Sequence, residues 1–106
     1  MIKVAVLLRR PHDWTRERFH RWWLDEHVAY AKKLPGLRKY RVSLVTGSTT
    51  HEGKEPWDGM AELWFDNRTA LDAAWSSEVG QVALQHSREG HSDRLVLITD
   101  EHELIG

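Results

Sequence analysis

The sequence predicts an α+β protein in which two helical regions cover one face of a four-stranded antiparallel sheet. Its 106 residues suit a single domain, spanning 1–106, because compact domains usually have about 100 to 150 residues. Hydrophobic residues make up 41% of the chain and include six Trp, which is enough to fill a core. Hydrophobic spacings typical of strands and of helices follow each other along the chain in the order βαββαβ.

The first strand and the first helix are predicted near the start of the chain. Alternating apolar residues from Ile2 to Leu8 predict a strand that ends at Arg10-Pro11. Thr15 is a favourable helix N-cap and Pro35-Gly36 is a helix stop, so we expect a helix of about 20 residues between them. Its apolar stripe has three- and four-residue spacing and consists of Phe19, Trp22, Trp23, His27, Tyr30, Ala31 and Leu34.

A long loop separates the second and third predicted strands. Aromatic and β-branched residues between Leu37 and Thr46 predict the second strand, and residues 47–56 have the composition of a loop. The third strand is predicted over Met60–Phe65. Because side chains alternate along a strand, Met60, Glu62 and Trp64 share one face of it.

The second helical region and the fourth strand complete the pattern. Asp66-Asn67 is expected to cap a helix that breaks at Ser76-Ser77 and then continues. Leu95–Thr99 predicts a strand with apolar residues on both faces. The resulting order of elements is the split βαβ arrangement of ferredoxin-like domains.

The same arrangement predicts a homodimer. Two helical regions can cover only one face of the sheet. The other face then carries Leu7, either Met60 and Trp64 or the residues on the opposite side of the third strand, and one side of the fourth strand. This is more apolar surface than a protein normally leaves in water. In a chain this short, the simplest cover is a second copy that packs sheet against sheet.

Composition excludes several classes of function. A formal net charge of -1 provides no basic field for a nucleic-acid backbone. The absence of Cys excludes disulfides, thiolate metal sites, iron–sulfur clusters and cysteine nucleophiles. The apolar run from Val4 to Leu8 is shorter than a signal-peptide core or a membrane span of about 20 residues. We therefore expect a soluble, cytoplasmic protein with no nucleic-acid or membrane partner.

The chain resembles the EthD-like family of dimeric α+β barrel proteins. The resemblance is carried by VAVLLRR in the first strand, FHRWWLDEHVAYAKKLPGLRKY from Phe19 to Tyr40, DGMAELWF from Asp58 to Phe65, and the TDEH ending at His102. It implies two ferredoxin-like sheets that form a barrel between subunits, with a small-molecule cavity between each sheet and its helices. Members are linked to ether and aromatic catabolism, to lactone isomerisation and to oxidoreductase activity.

The chain is also similar to the lactone methylisomerase members of that family. In those members, a His late in the first helix and a Cys in the third strand belong to the active site. His27 matches the first, while Glu62 stands at the strand position of the Cys. His51, in the loop before the third strand, lies near another histidine position of those enzymes. Thiolate chemistry is therefore absent, which puts the same isomerisation in doubt.

Two titratable residues interrupt the apolar patterns and are the candidate catalytic groups. His27 is on the apolar stripe of the first helix, either as a core histidine with one hydrogen bond or as a general acid or base. Glu62 lies between two large apolar residues of its strand face, where burial would raise its pKa and make it a proton carrier. Alternatively, Glu62 is an edge-strand charge that reaches solvent or pairs with Arg9.

The histidine spacing does not favour a metal site. His20 and His27 are seven residues apart, which separates them by roughly 10 Å along a helix, too far to share an ion. His86, Glu89 and His91 lie in a Ser-, Arg- and Gly-containing stretch typical of a solvated helix end. We expect neither a metal nor another cofactor.

These observations and the resemblance together suggest an enzyme that acts on an apolar or aromatic-catabolism metabolite by cofactor-independent proton transfer or oxidation. His27 would be the acid–base group, and Glu62 either a second proton carrier or a group that orients the substrate or His27. The expected substrate contacts are Tyr40, Trp64, Trp23, Tyr30 and His51. The main alternative is a non-catalytic protein that binds a metabolite or serves a partner oxygenase. A third reading is haem or metal chemistry, because related barrels include haem-degrading enzymes.

Overall fold

The computed structural model describes residues 1–49 and 56–106 of the chain. The strands are β1 (Ile2–Arg9), β2 (Lys39–Leu44), β3 (Gly59–Phe65) and β4 (Asp93–Asp100). The helices are α1 (Arg16–Arg21), a π-helical segment (Trp22–His27), α2 (Val28–Ala31), α3 (Arg68–Ser76), α4 (Glu78–Ser87) and a 3₁₀ turn (Arg88–Gly90).

The four strands form one antiparallel sheet in the order β2-β3-β1-β4. The central strand β1 pairs with β3 on one side and with β4 on the other, and β2 pairs with β3. Both helical regions pack on the same face of this sheet, where their buried side chains share one core with those of the strands. The predicted ferredoxin-like topology is confirmed.

The core lies between the sheet and the helices. The sheet contributes Val4, Val6, Leu8, Ala61, Leu63 and Phe65, and the helical regions contribute Phe19, Trp22, Trp23, Leu71 and Ala74. Burial of each large apolar side chain contributes about 1.5–3 kcal/mol to the stability of the fold. The aromatic residues of the first helical region therefore fix its position on the sheet.

The first helical region differs from the regular helix that the spacing predicts. The Thr15 side chain caps it by accepting a hydrogen bond from the Arg18 N–H at 3.1 Å. The helix then runs without a break through α1, the π-helical segment and α2, and ends at Ala31. In the π-helical segment the turn is wider, and the Val28 N–H donates to the Trp23 carbonyl, five residues earlier. This widening brings side chains five residues apart into alignment.

The second helical region bends where the sequence predicts a break. Asn67 caps α3 by accepting from the Ala70 N–H at 2.9 Å. Ser77 has extended backbone dihedrals between α3 and α4, and its hydroxyl accepts from the Gly80 N–H at 3.0 Å. The bend allows α4 to pack against the first helical region.

The helix-free face of the sheet carries a network of charged residues around Trp64. The Trp64 indole N–H donates to Glu101 at 2.8 Å, and Lys3 Nζ lies 3.0 Å from Glu62 and 2.9 Å from Glu101. Lys39 also lies over the Trp64 ring. As a result, Trp64 is only 4% exposed.

This network corrects the proposed surroundings of Glu62. The residue lies on an interior strand, and its partner is Lys3 rather than Arg9, which pairs with Asp93. The uncovered apolar surface is instead concentrated on the edge strand β4, where Leu95 to Ile98 are between 39% and 46% exposed.

Gly59, at the start of β3, provides a direct test of this packing. A Cβ atom at this position would lie 2.3 Å from Cζ3 of Trp23. We expect Gly59→Ala to lower the free energy of unfolding by about 1–3 kcal/mol, because overpacking forces shifts in a dense core. Gly47→Ala is the matched control, since a Cβ at Gly47 meets nothing within 4 Å. Equal stabilities of the two variants in urea unfolding would contradict this packing.

Candidate active site

A small, mostly apolar cavity lies between the sheet and the helical regions. Its volume is about 40 Å³, which is enough for a few water molecules. Four polar side chains line it: His27, Tyr40, Ser87 and Arg94. The apolar lining consists of Val6, Leu8, Trp23, Ala31, Ala61, Leu63, Trp75, Ala83 and Leu84. The cavity lies where the family resemblance implies one.

His27 is held by a hydrogen bond to a second histidine, His86 of α4. The two Nδ1 atoms lie 2.9 Å apart, and the planes of the two rings differ by 6°. Trp22 stacks on both rings, with its centroid 4.9 Å from that of His27 and 5.4 Å from that of His86. Tyr30 also stacks on His86, at 4.2 Å. The aromatic contacts thus fix the two imidazoles in orientations that keep the hydrogen bond short.

The π-helical segment is the reason that Trp22 reaches His27. The two residues are five positions apart, which is the repeat of the wider turn. Their rings are stacked within 11° of parallel. The local change in helix type therefore determines the placement of the candidate catalytic group.

Glu89 orients the pair from the outer side. Its carboxylate lies 3.3 Å from His86 Nε2. When both rings are neutral, a His86 Nε2–H that faces this carboxylate leaves His86 Nδ1 as an acceptor. His27 then donates its Nδ1–H to His86 and keeps an unprotonated Nε2.

The surroundings of His27 favour its neutral form. Burial lowers the pKa of His27 most, and the nearby charges of His86, Arg94 and His91 lower it further, to about 4. At neutral pH the ring therefore carries no net charge. A neutral imidazole with an unprotonated Nε2 can accept a proton from a bound molecule.

Tyr40 and Trp23 line the same cavity. Burial raises the pKa of Tyr40, an effect that the neighbouring Trp23 indole opposes. The phenol is therefore protonated at neutral pH and can donate a hydrogen bond. Trp23 is only 1% exposed and forms a rigid apolar wall.

The structure brings together only part of the site expected from the sequence. His27, Tyr40 and Trp23 line one cavity, whereas Tyr30 is not among its lining residues and stacks on His86, the partner of His27. Glu62 and Trp64, which were also expected at the site, do not line this cavity. Both lie on the helix-free face, in the network with Lys3, because strand alternation directs Ala61 and Leu63 into the cavity instead. His51 lies outside the described residues.

Sequence reasoning missed three residues of the site. The composition around His86 and Glu89 predicts a solvated helix end, whereas in the structure His86 contacts His27 and lies 3.3 Å from the Glu89 carboxylate. The signal that could have identified His86 is its position three residues after Ala83, on the apolar side of α4. Arg94 precedes the apolar run of β4 and lines the cavity, and no spacing in the sequence indicates this.

Within residues 1–49 and 56–106, no group of three or more His, Asp or Glu side chains is arranged to hold a metal ion. None of the helices described there combines the length and the hydropathy needed to cross a membrane.

Comparisons with known proteins agree with this fold. The family model for the EthD domain matches residues 11–94. A curated relative, 4-carboxymethyl-4-methylbutenolide mutase from Pseudomonas reinekei, is 25% identical over 107 residues, covering 95% of this chain and 98% of the relative. An EthD family protein from Bacillus halodurans, 24% identical, has a crystal structure that matches with a TM-score of 0.81 and covers 96% of this chain and 99% of its own.

A second solved structure has the same architecture at lower identity. It is a dimeric ferredoxin-like protein of unknown function from Thermobifida fusca, 18% identical, with a TM-score of 0.68 and coverage of 92% of this chain and 88% of its own. At this level of identity, the similarity shows a shared fold and nothing about function. Because the family model spans most of the sequence, the chain belongs to the EthD domain family.

Proposed function

We propose that this protein is a small-molecule enzyme of the isomerase type, which moves a proton within its substrate without a cofactor. The observation that carries the proposal is the series Glu89–His86–His27, in which a carboxylate lies 3.3 Å from one imidazole and that imidazole is hydrogen-bonded to a second one at the cavity. A base that is oriented by a second group, itself oriented by a carboxylate, follows the general arrangement of enzymatic acid–base sites.

Each polar group has a distinct part in the proposed reaction. His27 Nε2 takes a proton from a carbon next to a substrate carbonyl, and the electron pair of the broken C–H bond moves onto the carbonyl oxygen. The Tyr40 hydroxyl donates a hydrogen bond to that oxygen. His27, now protonated, returns the proton to a different atom of the substrate, so that the enzyme ends the cycle unchanged.

Similarity to the mutase from Pseudomonas reinekei supports an intramolecular rearrangement. That relative is named for its action on 4-carboxymethyl-4-methylbutenolide. In this compound C4 bears no hydrogen and the ring carbon next to the lactone carbonyl is vinylic, so the C–H bonds open to a histidine base are those of the carboxymethyl CH₂, next to the carboxyl carbonyl. The same compound is therefore the first substrate to test on this chain.

We also propose that the protein is a homodimer through the sheet and its β4 edge. An edge strand with Leu95 to Ile98 exposed presents both unpaired backbone groups and apolar side chains to a partner. The Thermobifida fusca neighbour with the same fold is described as dimeric. The helix-free face adds the charged network around Trp64, which can fix the register between copies.

The activity prediction concerns the two histidines. With 4-carboxymethyl-4-methylbutenolide, we expect His27→Gln to lower kcat by roughly 10²- to 10⁴-fold, the usual contribution of general acid–base catalysis. His86→Gln removes the acceptor that orients His27, and we expect a smaller loss in kcat. Rearrangement of the lactone is followed by proton NMR.

The matched control is His12→Gln, at an exposed position outside the cavity. It should leave kcat within about twofold of the parent, as expected for a surface change away from the site. Binding of the lactone with no rearrangement by the parent would favour a metabolite-binding protein. Full activity of His27→Gln would remove His27 from the mechanism.

The neutral state of His27 predicts a pH dependence of stability. The unfolded chain protonates this residue near its ordinary pKa of 6.5 and the folded protein near 4, so the unfolded state binds more protons between these pH values. Stability therefore falls on acidification through this range. We expect the parent to lose up to about 3 kcal/mol more than His27→Gln between pH 7 and pH 4. Stability is measured by urea unfolding at each pH. An equal loss of stability in the two proteins between pH 7 and pH 4 would contradict the neutral state assigned to His27.

Because the proposed dimer interface includes β4, a charge placed on this strand should disrupt the dimer. The parent should sediment at about twice its 12.4 kDa at micromolar concentration. Leu97→Lys places a charge on the exposed strand and should shift the protein to monomers, because a buried unpaired charge opposes association. Val82→Lys on α4 is the matched control, since Val82 is 48% exposed and Leu97 is 44% exposed. A monomeric parent would refute the proposed interface.

A further inference from the structure

The cavity contains a guanidinium that no carboxylate of the described chain neutralises. Arg94 lies on the helix-facing side of β4, directly opposite Leu8 of β1, and lines the cavity. By contrast, three other arginines have carboxylate partners: Arg10 pairs with Asp58, Arg38 with Asp66 and Arg68 with Asp72. Within residues 1–49 and 56–106, Arg94 has no such ion pair.

The charges around Arg94 do not compensate for its burial. The cavity lining includes no Asp or Glu among the described residues. Burial lowers the pKa of Arg94, and the nearby charge of Arg88 lowers it further. The positive charge of Arg94 in turn lowers the pKa values of His27 and His91. A partly buried cation of this kind is unfavourable unless an anion joins it.

We propose that Arg94 binds a carboxylate of the substrate, so that the substrate class is a small, otherwise apolar carboxylic acid. This inference rests on the proposed function, because it takes the cavity beside His27 as the substrate site. A guanidinium is suited to the role, since its planar fork can donate two parallel hydrogen bonds to one carboxylate. The apolar lining suits the remainder of the molecule, for which the cavity of about 40 Å³ must widen on binding.

The position of Arg94 also gives the substrate an orientation. Arg94 is on β4, while His27 ends the π-helical segment, and both line the same cavity. A carboxylate bound at Arg94 therefore directs the rest of a short molecule toward the imidazole and the Tyr40 hydroxyl. The bound anion would neutralise Arg94 and reduce its effect on His27, so that His27 becomes a stronger base once the substrate is in place.

The test compares acids with their methyl esters. The probes are 4-carboxymethyl-4-methylbutenolide and phenylacetate, each paired with its own methyl ester, and binding is measured by calorimetry on the full chain at one salt concentration. We expect at least one acid to bind the parent roughly tenfold or more tightly than its ester, because a hydrogen bond to a charged group contributes more than one to a neutral group. Absence of any acid preference in both pairs would overturn the proposal.

Variants of Arg94 and Arg88 test whether Arg94 causes the preference for the acid over its methyl ester. Arg94→Gln should weaken binding of the preferred acid roughly 10- to 100-fold and leave its ester within about twofold. Arg94→Lys keeps the charge but not the planar fork, so it should restore part of the preference. Arg88→Gln makes the same change in net charge outside the cavity, where Arg88 contacts Gln85, and should bind like the parent.

The possible results separate this inference from the proposed function. If Arg94→Gln abolishes the acid preference although the lactone is not rearranged, the carboxylate site stands and the isomerase proposal fails. If the lactone is rearranged equally well by the parent and Arg94→Gln, with the same preference for acid over ester, the carboxylate site fails. Conversion of Arg94→Gln to a monomer with an unchanged acid preference would also overturn it, because Arg94 would then be an interface residue.

Discussion

A single hydrogen bond between two imidazoles connects the two helical regions above the sheet. It joins His27 at the end of the π-helical segment to His86 of α4, with 2.9 Å between the Nδ1 atoms. Only one of the two nitrogens can carry the proton of this bond. We assign that proton to His27, because a His86 Nε2–H directed at Glu89 leaves His86 Nδ1 as the acceptor. Trp22 stacks on both rings and fixes their orientation. The chemistry assigned to the cavity depends on this arrangement.

The two faces of the sheet have different roles in this account. The helix-facing side supplies the cavity, with an unprotonated histidine nitrogen, a protonated phenol and an unpaired guanidinium around an apolar lining. The other side carries the network of Lys3, Glu62, Glu101 and Trp64. Strand alternation separates these two sets completely, so one sheet can serve catalysis on one side and association on the other.

Local patterns are sufficient to predict the fold. Each strand and each helix has its own hydrophobic period, and the helices also have recognisable capping residues. The same patterns could not predict the site. β3 is apolar on both faces, so its period shows that Glu62 and Trp64 share a face without showing which face the helices cover. The contact between His27 and His86 joins residues 59 positions apart, and the π-helical turn that aligns His27 with Trp22 has no spacing of its own in the sequence. Arg94 enters the cavity through strand pairing, which is a property of the tertiary structure.

The central claim is that His27 is a neutral imidazole with its proton on Nδ1 and a free Nε2. The most direct measurement is a long-range ¹H–¹⁵N NMR spectrum of the histidine side chains at neutral pH, with His27→Gln used to assign the signals. We expect nitrogen shifts of the Nδ1–H tautomer for His27 and of the Nε2–H tautomer for His86. An imidazolium at His27, or a His27 protonated on Nε2, would leave no base for the bound molecule and would contradict the proposed role of His27.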